Sequence, residues 1–330
     1  PLVIYLVFYV LTFLQKINFK LEVKKKFIFL IFILLGSSLL VLTYISLTNP
    51  FIIELVVPRF FSTIQDQGRI GHRHKGIPLS GPMDTFGFKF AHQLVNNDYS
   101  MSLIESTLQG PKLLVEGKIK LVYSGALMDV YLNKKKMMIN KPFECNSGDI
   151  VSFGHCLSGV RTYISFSGGL KTSSVLGSSS YCYPITKKKV LEKGDEFFLA
   201  RKSLTVKYDL NKINDGYYLK NNLNVSKGPD WNIISSDIKE SLFKNSFSVG
   251  INDRMGYHLE GNDNLKNRIH LESSAIFPGT IQLTPKGVLL ASMADGQVTG
   301  GYPRVLILDE LSMSILAQKR RGELIYFKMN

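Results

Sequence analysis

The stretch TIQDQGRIGHRHKGIPLSGPMD, residues 63–84, has a shorter counterpart in DRMGYHLEG, residues 253–261. Both contain the pattern Arg-x-Gly-x-x-x-x-Gly, which starts at Arg69 in the first and at Arg254 in the second. Each is followed later by a Glu-Ser-Thr or Glu-Ser-Ser triplet. Paired matches in the same order predict two units of related build, whose arginine loops face a shared crevice.

Strand patterns fill the chain around these two loops. Short runs of alternating or β-branched residues recur, with Gly-Asp and Gly-Glu turn signals before several of them. We therefore predict a mainly β fold of closed or nearly closed barrels with short helices. The predicted strands are Phe51–Val57, Ile119–Tyr123, Met128–Leu132, Ile150–Phe153, Thr162–Phe166, Phe197–Leu199, Ser203–Tyr208, Val288–Ala291 and Leu324–Phe327.

One helix is predicted from Asp84 to about Leu94. Asp84 is a favourable N-cap residue. Phe86, Phe90 and Leu94 recur at helical spacing, which predicts that they form its buried face. Two further helices are predicted at Asp237–Phe243 and Leu311–Gln318.

A polar segment, residues 211–224, lacks apolar periodicity and is interpreted as a linker. It divides the chain into a first β domain, residues 51–222, and a second, residues 223–330. Residues 1–50 form a separate apolar extension.

The extension has two interpretations. Residues 27–48 carry no charge, and the run is long enough to span a bilayer as a helix behind a lysine-rich flank. Alternatively, the biased composition of residues 1–50 reflects a start-site artefact. The location expected is cytoplasmic, or membrane-anchored through residues 27–48 if the extension is real.

Composition excludes several function classes. The net charge of +14 comes mostly from scattered lysines without a nucleic-acid motif, so solvated loops explain it. The three cysteines show no zinc-ligand spacing and predict a reducing compartment, and no metal site is expected. Phosphate-loop, dinucleotide-binding and Gly-x-Ser-x-Gly motifs do not occur, and Ser178–Ser180 is interpreted as a serine-rich turn.

Two glycine-rich segments carry the candidate site. In the first, glycines let the backbone approach a ligand, and Arg69 suits a carboxylate or phosphate. In the second, the pair Gly300-Gly301 predicts a loop whose N–H groups bind an oxyanion. Its glutamines suit an amide substrate. An ordinary turn remains the alternative for each segment, and Asp84 has helix capping as its alternative role.

At these residues the chain resembles the allophanate hydrolase subunit 2 family, also called the biotin-dependent carboxyltransferase-like family, which includes the C-type subunit of 5-oxoprolinase. The matching stretches run in family order from Phe51 almost to the C-terminus. They are TIQDQGRIGHRHKGIPLSGPMD, LIESTLQGP, RTYISFSGGL, VLGSS, KGPDW, DRMGYHLEG, PGTIQ and DGQVTGGYPR.

The resemblance implies two related cyclophilin-like β-barrel domains. It also implies a hydrolase that opens 5-oxoproline to glutamate with ATP, as its magnesium complex, and has no tightly bound cofactor. Its partners would be the B-type subunit, which is of the allophanate hydrolase subunit 1 type, and the A-type subunit. Carried over by position, the site comprises Gln65, Asp66, Arg69, Ser80, Gly81, Asp84, Glu105, Arg254, Gln282, Asp295, Gln297, Thr299, Gly300, Gly301 and Tyr302.

Among these residues Asp66, Arg69, Arg254 and Asp295 are the catalytic candidates. An amide resists hydrolysis until its carbonyl is activated, so the site needs cations, oxyanion donors and a carboxylate base. We expect Arg69 and Arg254 to neutralise anionic groups, and Asp66 or Asp295 to transfer protons. The alternatives are a biotin-dependent carboxyltransferase of the urea or allophanate type, and a non-catalytic antagonist of a kinase inhibitor.

Overall fold

The computed structural model describes residues 51–59, 61–200, 216–261 and 265–330, which form mainly antiparallel strands. Nineteen strands lie in these ranges, in two large sheets and one small one. The mainly β prediction is confirmed.

Strands β1 to β10 form the first sheet. They are β1 (Ile52–Val57), β2 (Phe61–Gln65), β3 (Leu103–Thr107), β4 (Lys112–Glu116), β5 (Ile119–Leu132), β6 (Lys135–Met137), β7 (Phe143–Cys145), β8 (Ile150–Phe166), β9 (Leu170–Lys171) and β10 (Glu196–Leu199). The order is β2-β3-β8-β4-β1-β10-β9, and β5 pairs with β6, β7 and β8. An isolated bridge between Leu170 of β9 and Ser102, the residue before β3, brings the end of this path back towards its beginning.

The second sheet closes into a barrel. Its order is β11-β18-β15-β16-β13-β12-β19, and β19 returns parallel to β11. A two-stranded sheet, β14-β17, lies outside it. The strands are β11 (Asn222–Lys227), β12 (Phe247–Asn252), β13 (Gly256–Gly261), β14 (Ser274–Ala275), β15 (Thr280–Leu283), β16 (Leu289–Ser292), β17 (Thr299–Gly300), β18 (Arg304–Leu308) and β19 (Leu324–Met329).

Strand β19 shows why these sequences form sheets. Ile325 and Phe327 point into the core, whereas Leu324 and Tyr326 are exposed. This alternation is the two-residue period of a strand with one buried face. Apolar side chains at such positions build a separate hydrophobic core for each sheet.

Several predicted strands are longer than expected. Residues 119–123 and 128–132 both belong to β5, and residues 150–153 and 162–166 both belong to β8. Register shifts between β5 and β8 interrupt the alternation, which explains the apparent breaks. The predicted strand Ser203–Tyr208 lies outside the described residues.

Three α-helices accompany the sheets in the described ranges: α1 (Thr85–Leu94), α2 (Ser236–Lys244) and α3 (Glu310–Ala317). Asp84 caps α1 as predicted, since its side chain accepts a hydrogen bond from Gly87 N. Phe86, Phe90 and Leu94 are partly buried, and Phe86 and Leu94 pack against hydrophobic cores. The most deeply buried residues of the helix are Gly87, Phe88, Ala91 and His92.

The linker prediction is wrong for the residues that the structure describes. Asn222–Asn224 belong to β11, and Tyr217 is buried with its hydroxyl donating to Asp84. Residues 50–330 form one compact unit, in which sheet membership changes between Leu199 and Asn222. The extension, with its 27–48 segment, lies outside the described residues.

His92 gives the fold a measurable pH response. Burial lowers its pKa to about 3, and its Nδ1 lies 3.1 Å from Ser165 Oγ. Below pH 6.5 the unfolded imidazole takes up a proton that the folded one does not. We therefore expect the free energy of unfolding to fall with decreasing pH, by up to about 1.4 kcal/mol per unit from this residue.

Urea unfolding of the wild type and the His92→Asn variant between pH 7 and about pH 4.5 measures this. The variant should lose less stability per pH unit than the wild type. His155→Asn, which removes an exposed histidine, is the control and should behave as the wild type does. Equal slopes in all three proteins would show that His92 is not held neutral.

Candidate functional site

The two arginine loops meet in the folded chain. Ser80 N donates to Ala294 O at 2.9 Å, and Arg254 Nη2 donates to Gly81 O at 2.6 Å. Gly81 has a φ of +83°, and a Cβ there would lie 3.1 Å from Asp66 O. Glycine therefore lets the first loop fold back on itself beside the second.

Arg254 lies at the centre of the contact. Its Nη1 donates to Glu105 of the first sheet, and its Nε donates to Asp295 Oδ2 at 2.7 Å. Burial opposes its charge, but Asp295 and Glu105 outweigh burial, so the pKa of the guanidinium lies above its usual value. Every guanidinium nitrogen of Arg254 has a partner, and two of these partners, Glu105 and Gly81, belong to the first half. Arg254 therefore links the two halves.

Glu105 is fixed just as firmly. It is 1% exposed, and its Oε2 accepts from Met83 N at 2.9 Å and from the Tyr163 hydroxyl at 2.8 Å. Asp295 is the partly exposed member of the cluster, with 13% of its side chain exposed. Of the two carboxylates on Arg254, Asp295 is thus the one that solvent reaches.

Asp66 holds a serine-rich segment in place. Its carboxylate accepts from the hydroxyls of Ser178 and Ser180, from Ser179 N at 2.6 Å and from Gly68 N at 2.9 Å. Four donors occupy both oxygens, so this carboxylate organises two loops. The serine-rich turn is therefore where the first arginine loop is anchored, a role that its sequence does not indicate.

The side chain of Arg69, unlike the carboxylate of Asp66, has few hydrogen-bond partners. It is fully buried, and among the described residues its one side-chain hydrogen bond goes from Nη2 to Ser180 O at 2.5 Å. Its Nε and Nη1 have no partner among the described residues. Burial lowers the pKa of Arg69, while Cys182, Asp66 and Asp295 counteract that shift. Unused donors on a buried cation mark this residue as the open position of the site.

Asp84 lies away from that open position. It is fully buried, caps α1, and accepts from the Tyr217 hydroxyl and from Gln318 Nε2 at 2.6 Å. Burial raises its pKa, and the hydrogen bonds from Tyr217 and Gln318 oppose the shift. Its contacts join the two halves, and substrate binding by Asp84 stays a prediction.

The remaining predicted residues form a second group. Gln282 and Gln297 line an open cleft of about 250 Å³ together with Asp253 and His258. Gln282 Nε2 also donates to Tyr302 O at 3.2 Å, which brings the Tyr302 backbone to this group. The cleft is therefore beside the buried cluster, whose arginines are not among its lining residues.

The expected oxyanion loop is different in the structure. Thr299 and Gly300 form β17 and pair with Ala275 and Ser274, so this backbone belongs to a ladder. A Cβ on Gly300 would meet Ile276 at 2.4 Å, which explains the glycine by packing. Gly300 therefore lies in a short strand rather than in a loop, and oxyanion binding by the N–H groups of Gly300 and Gly301 stays a prediction.

Gln65 lies at the end of β2 and is fully buried, with its Nε2 donating to Thr63 Oγ1 at 3.0 Å. Its Oε1 has no partner among the described residues and is an available acceptor. A second open cleft, of about 290 Å³, lies close by and is lined by Asp66, Gly68, Ile70 and other residues.

Neither a metal-binding cluster nor a membrane-spanning helix lies in the described ranges. No group of three or more His, Cys, Asp or Glu side chains there has the geometry to hold a metal ion. None of the helices in those ranges has the length and hydropathy needed to cross a bilayer.

Fold and site together define a β protein with two sheets, whose paired arginine loops meet at a buried ion cluster. Residues 75–329 match the model of the carboxyltransferase domain, subdomain A and B, and the chain belongs to this family.

The relatives differ in the share of their own length that this chain covers. The C-type subunit of 5-oxoprolinase from Haemophilus influenzae is 28% identical over 84% of this chain and 90% of its own length. Urea amidolyase of Lachancea kluyveri is 35% identical over 47% of this chain, and the match spans 9% of that protein. The crystal structure of Kluyveromyces lactis urea carboxylase aligns with a TM-score of 0.73 and 26% identity, over 84% of this chain and 27% of that one.

Proposed function

We propose that the chain is one component of an ATP-dependent 5-oxoprolinase, which converts 5-oxoproline, ATP and water to glutamate, ADP and phosphate. The similarity to the C-type subunit of that enzyme carries this proposal, because it extends over 90% of the relative. The urea amidolyase match covers 9% of a much longer protein. A match to nearly the whole length of the 5-oxoprolinase subunit favours that enzyme over urea amidolyase.

The chemistry of the site supports ring opening of an amide. Hydrolysis of an activated amide needs donors for the carbonyl oxygen and a group that moves protons. Arg69 offers unused donors, and Asp295 is the partly exposed carboxylate at the loop contact. We assign proton transfer to Asp295 rather than to Asp66, since four donors already occupy the carboxylate of Asp66.

The proposed function includes partner subunits. The name of the Haemophilus relative makes that protein one subunit of an enzyme. By analogy, this chain acts with a B-type and an A-type subunit, and ATP enters as its magnesium complex. The open clefts beside the arginine loops are where a partner or nucleotide has access to the site.

Reconstitution tests the function. The chain, combined with A-type and B-type subunits, should release glutamate and phosphate in equal amounts when 5-oxoproline and ATP are supplied. ATP hydrolysis that does not depend on 5-oxoproline, or binding of the partner subunits without turnover, would contradict the proposal. Turnover that requires a biotinylated partner would support the second candidate, a carboxyltransferase, which the likeness to urea carboxylase favours.

Asp295→Asn tests the proton-transfer role in that assay. Asparagine keeps the shape and can still accept a hydrogen bond from Arg254, but it does not take up a proton. We expect kcat to fall about 10²–10⁴-fold. Because Asp295 also pairs with Arg254, the variant should lose some stability, so kcat is compared under conditions in which urea unfolding shows both proteins to be folded. Asp237→Asn, which alters an exposed carboxylate in α2, should leave kcat as it is. Full activity of Asp295→Asn would remove Asp295 from the mechanism.

A further inference from the structure

The charges around Arg69 indicate which ligand atom this residue can bind. Three arginines, Arg69, Arg161 and Arg254, face three carboxylates, those of Asp66, Glu105 and Asp295. The positive and negative charges of the cluster are therefore balanced. A carboxylate or phosphate placed here would bring a negative charge without a cation to pair with it, in a site where water screens little.

The neutral neighbours of Arg69 lack partners as well. Ser80 is 3% exposed, and its hydroxyl has no oxygen or nitrogen partner among the described residues. The Ser80 hydroxyl faces the thiol of Cys182, which is a weak hydrogen-bonding group, and Cys182 is 9% exposed. Burial raises the pKa of Cys182, so at neutral pH it is an uncharged thiol that does not neutralise Arg69.

The unused donors require an acceptor that brings no full charge. Nε and Nη1 of Arg69 are donors in a buried position, where an unpaired polar group is costly, and the hydroxyl of Ser80 has only the weak thiol of Cys182 as a partner. An amide or lactam carbonyl oxygen accepts hydrogen bonds and is neutral. It satisfies the donors without adding to the negative charge.

We propose that Arg69 and Ser80, with Cys182 beside them, bind the carbonyl oxygen of a lactam or amide, and that Arg69 does not anchor a carboxylate. This replaces the expectation that Arg69 neutralises an anionic group. It rests on the proposed function only in taking 5-oxoproline as the physiological lactam. Donors held at that oxygen also stabilise negative charge that develops on it during reaction.

Access to the position runs beside the first loop. The cleft of about 290 Å³ is lined by Gly68 and Ile70, the residues on either side of Arg69, and by Leu176 and Gly177 across from them. Arg69 itself has no exposed surface, and the serine segment, residues 178–180, covers it through the contact of its Nη2 with Ser180 O.

Two ring compounds separate the alternatives. 2-Pyrrolidinone has the lactam of 5-oxoproline without its carboxylate, and cyclopentanecarboxylate has the carboxylate without the lactam. Titrations of the full chain followed by ligand-observed saturation-transfer NMR give the affinity of each. We expect 2-pyrrolidinone to bind more tightly than cyclopentanecarboxylate. Arg69→Met should weaken 2-pyrrolidinone at least about tenfold and leave cyclopentanecarboxylate unchanged.

Two further variants, a control and a second test variant, are compared with Arg69→Met. Arg73→Met removes a positive charge from the same loop, where Arg73 contacts Ile276 and Phe277, and should not change lactam affinity. Ser80→Ala removes one donor without removing charge and should also weaken 2-pyrrolidinone, even if Arg69→Met does not fold. Tighter binding of the carboxylate, or no binding of the lactam, overturns the proposal. Neither outcome depends on ATP hydrolysis, so the proposed enzyme activity is tested separately.

Discussion

Replacing Arg254 with Ala is expected to lower the free energy of unfolding by about 3–5 kcal/mol, the cost of breaking a buried ion pair. The change leaves Glu105 and Asp295 facing each other without their shared cation, and it removes the hydrogen bond to Gly81 O. Urea unfolding measures the loss. The same variant should be inactive in the reconstituted enzyme, because the two arginine loops no longer hold together.

An exposed ion pair provides the control. Lys89 of α1 and Glu310 of α3 also connect the two halves, but their side chains are 40% and 55% exposed. Exposed pairs contribute little, so Lys89→Ala should cost less than about 1 kcal/mol. If Arg254→Ala were as mild as Lys89→Ala, the buried cluster would not be what joins the halves.

Gln318→Leu is expected to cost about 3 kcal/mol. Gln318 follows α3 and reaches into the first half, where its Oε1 accepts from Val160 N and Arg161 N at 2.8 Å each. Its Nε2 donates to Asp84 Oδ2 and to Arg161 O. Leucine fills a similar volume but leaves buried N–H groups and the Asp84 carboxylate without this partner, and each lost partner is costly in a buried position.

Gln297→Leu is the matched control for that prediction. Gln297 is exposed in the cleft of the second half, so the same replacement should change the free energy of unfolding by no more than about 0.5 kcal/mol. Urea unfolding of both variants compares them directly. Equal effects would mean that the hydrogen bonds of Gln318 do not stabilise the contact between the halves.

Features with a local cause could be predicted from the sequence. The N-cap of α1 needed only Asp84 and the residues that follow it. The mainly β class followed from two-residue periods such as that of β19. The Arg-x-Gly pattern, which occurs twice, predicted that the two loops face a shared crevice. Arg254 does contact Gly81 of the first loop, but each of the two clefts described above is lined by residues of one half.

Features that depend on distant partners could not be predicted. Gln318 and Asp84 are far apart in the chain, and nothing near either residue indicates the other. The polar composition of residues 211–224 gives no indication that Tyr217 is buried, with its hydroxyl on the carboxylate of Asp84. Cys182 lies outside both dense motifs and reaches the site only through the fold.

A double-mutant cycle on Glu105 and Arg254 tests the central claim most directly, because these two side chains carry the ion pair between the first and second halves. The free energies of unfolding of Glu105→Ala, Arg254→Ala and the double variant give the coupling between them. We predict a favourable coupling of about 1–3 kcal/mol. Additive effects, within about 0.5 kcal/mol, would contradict the claim that a buried ion pair brings the two loops together.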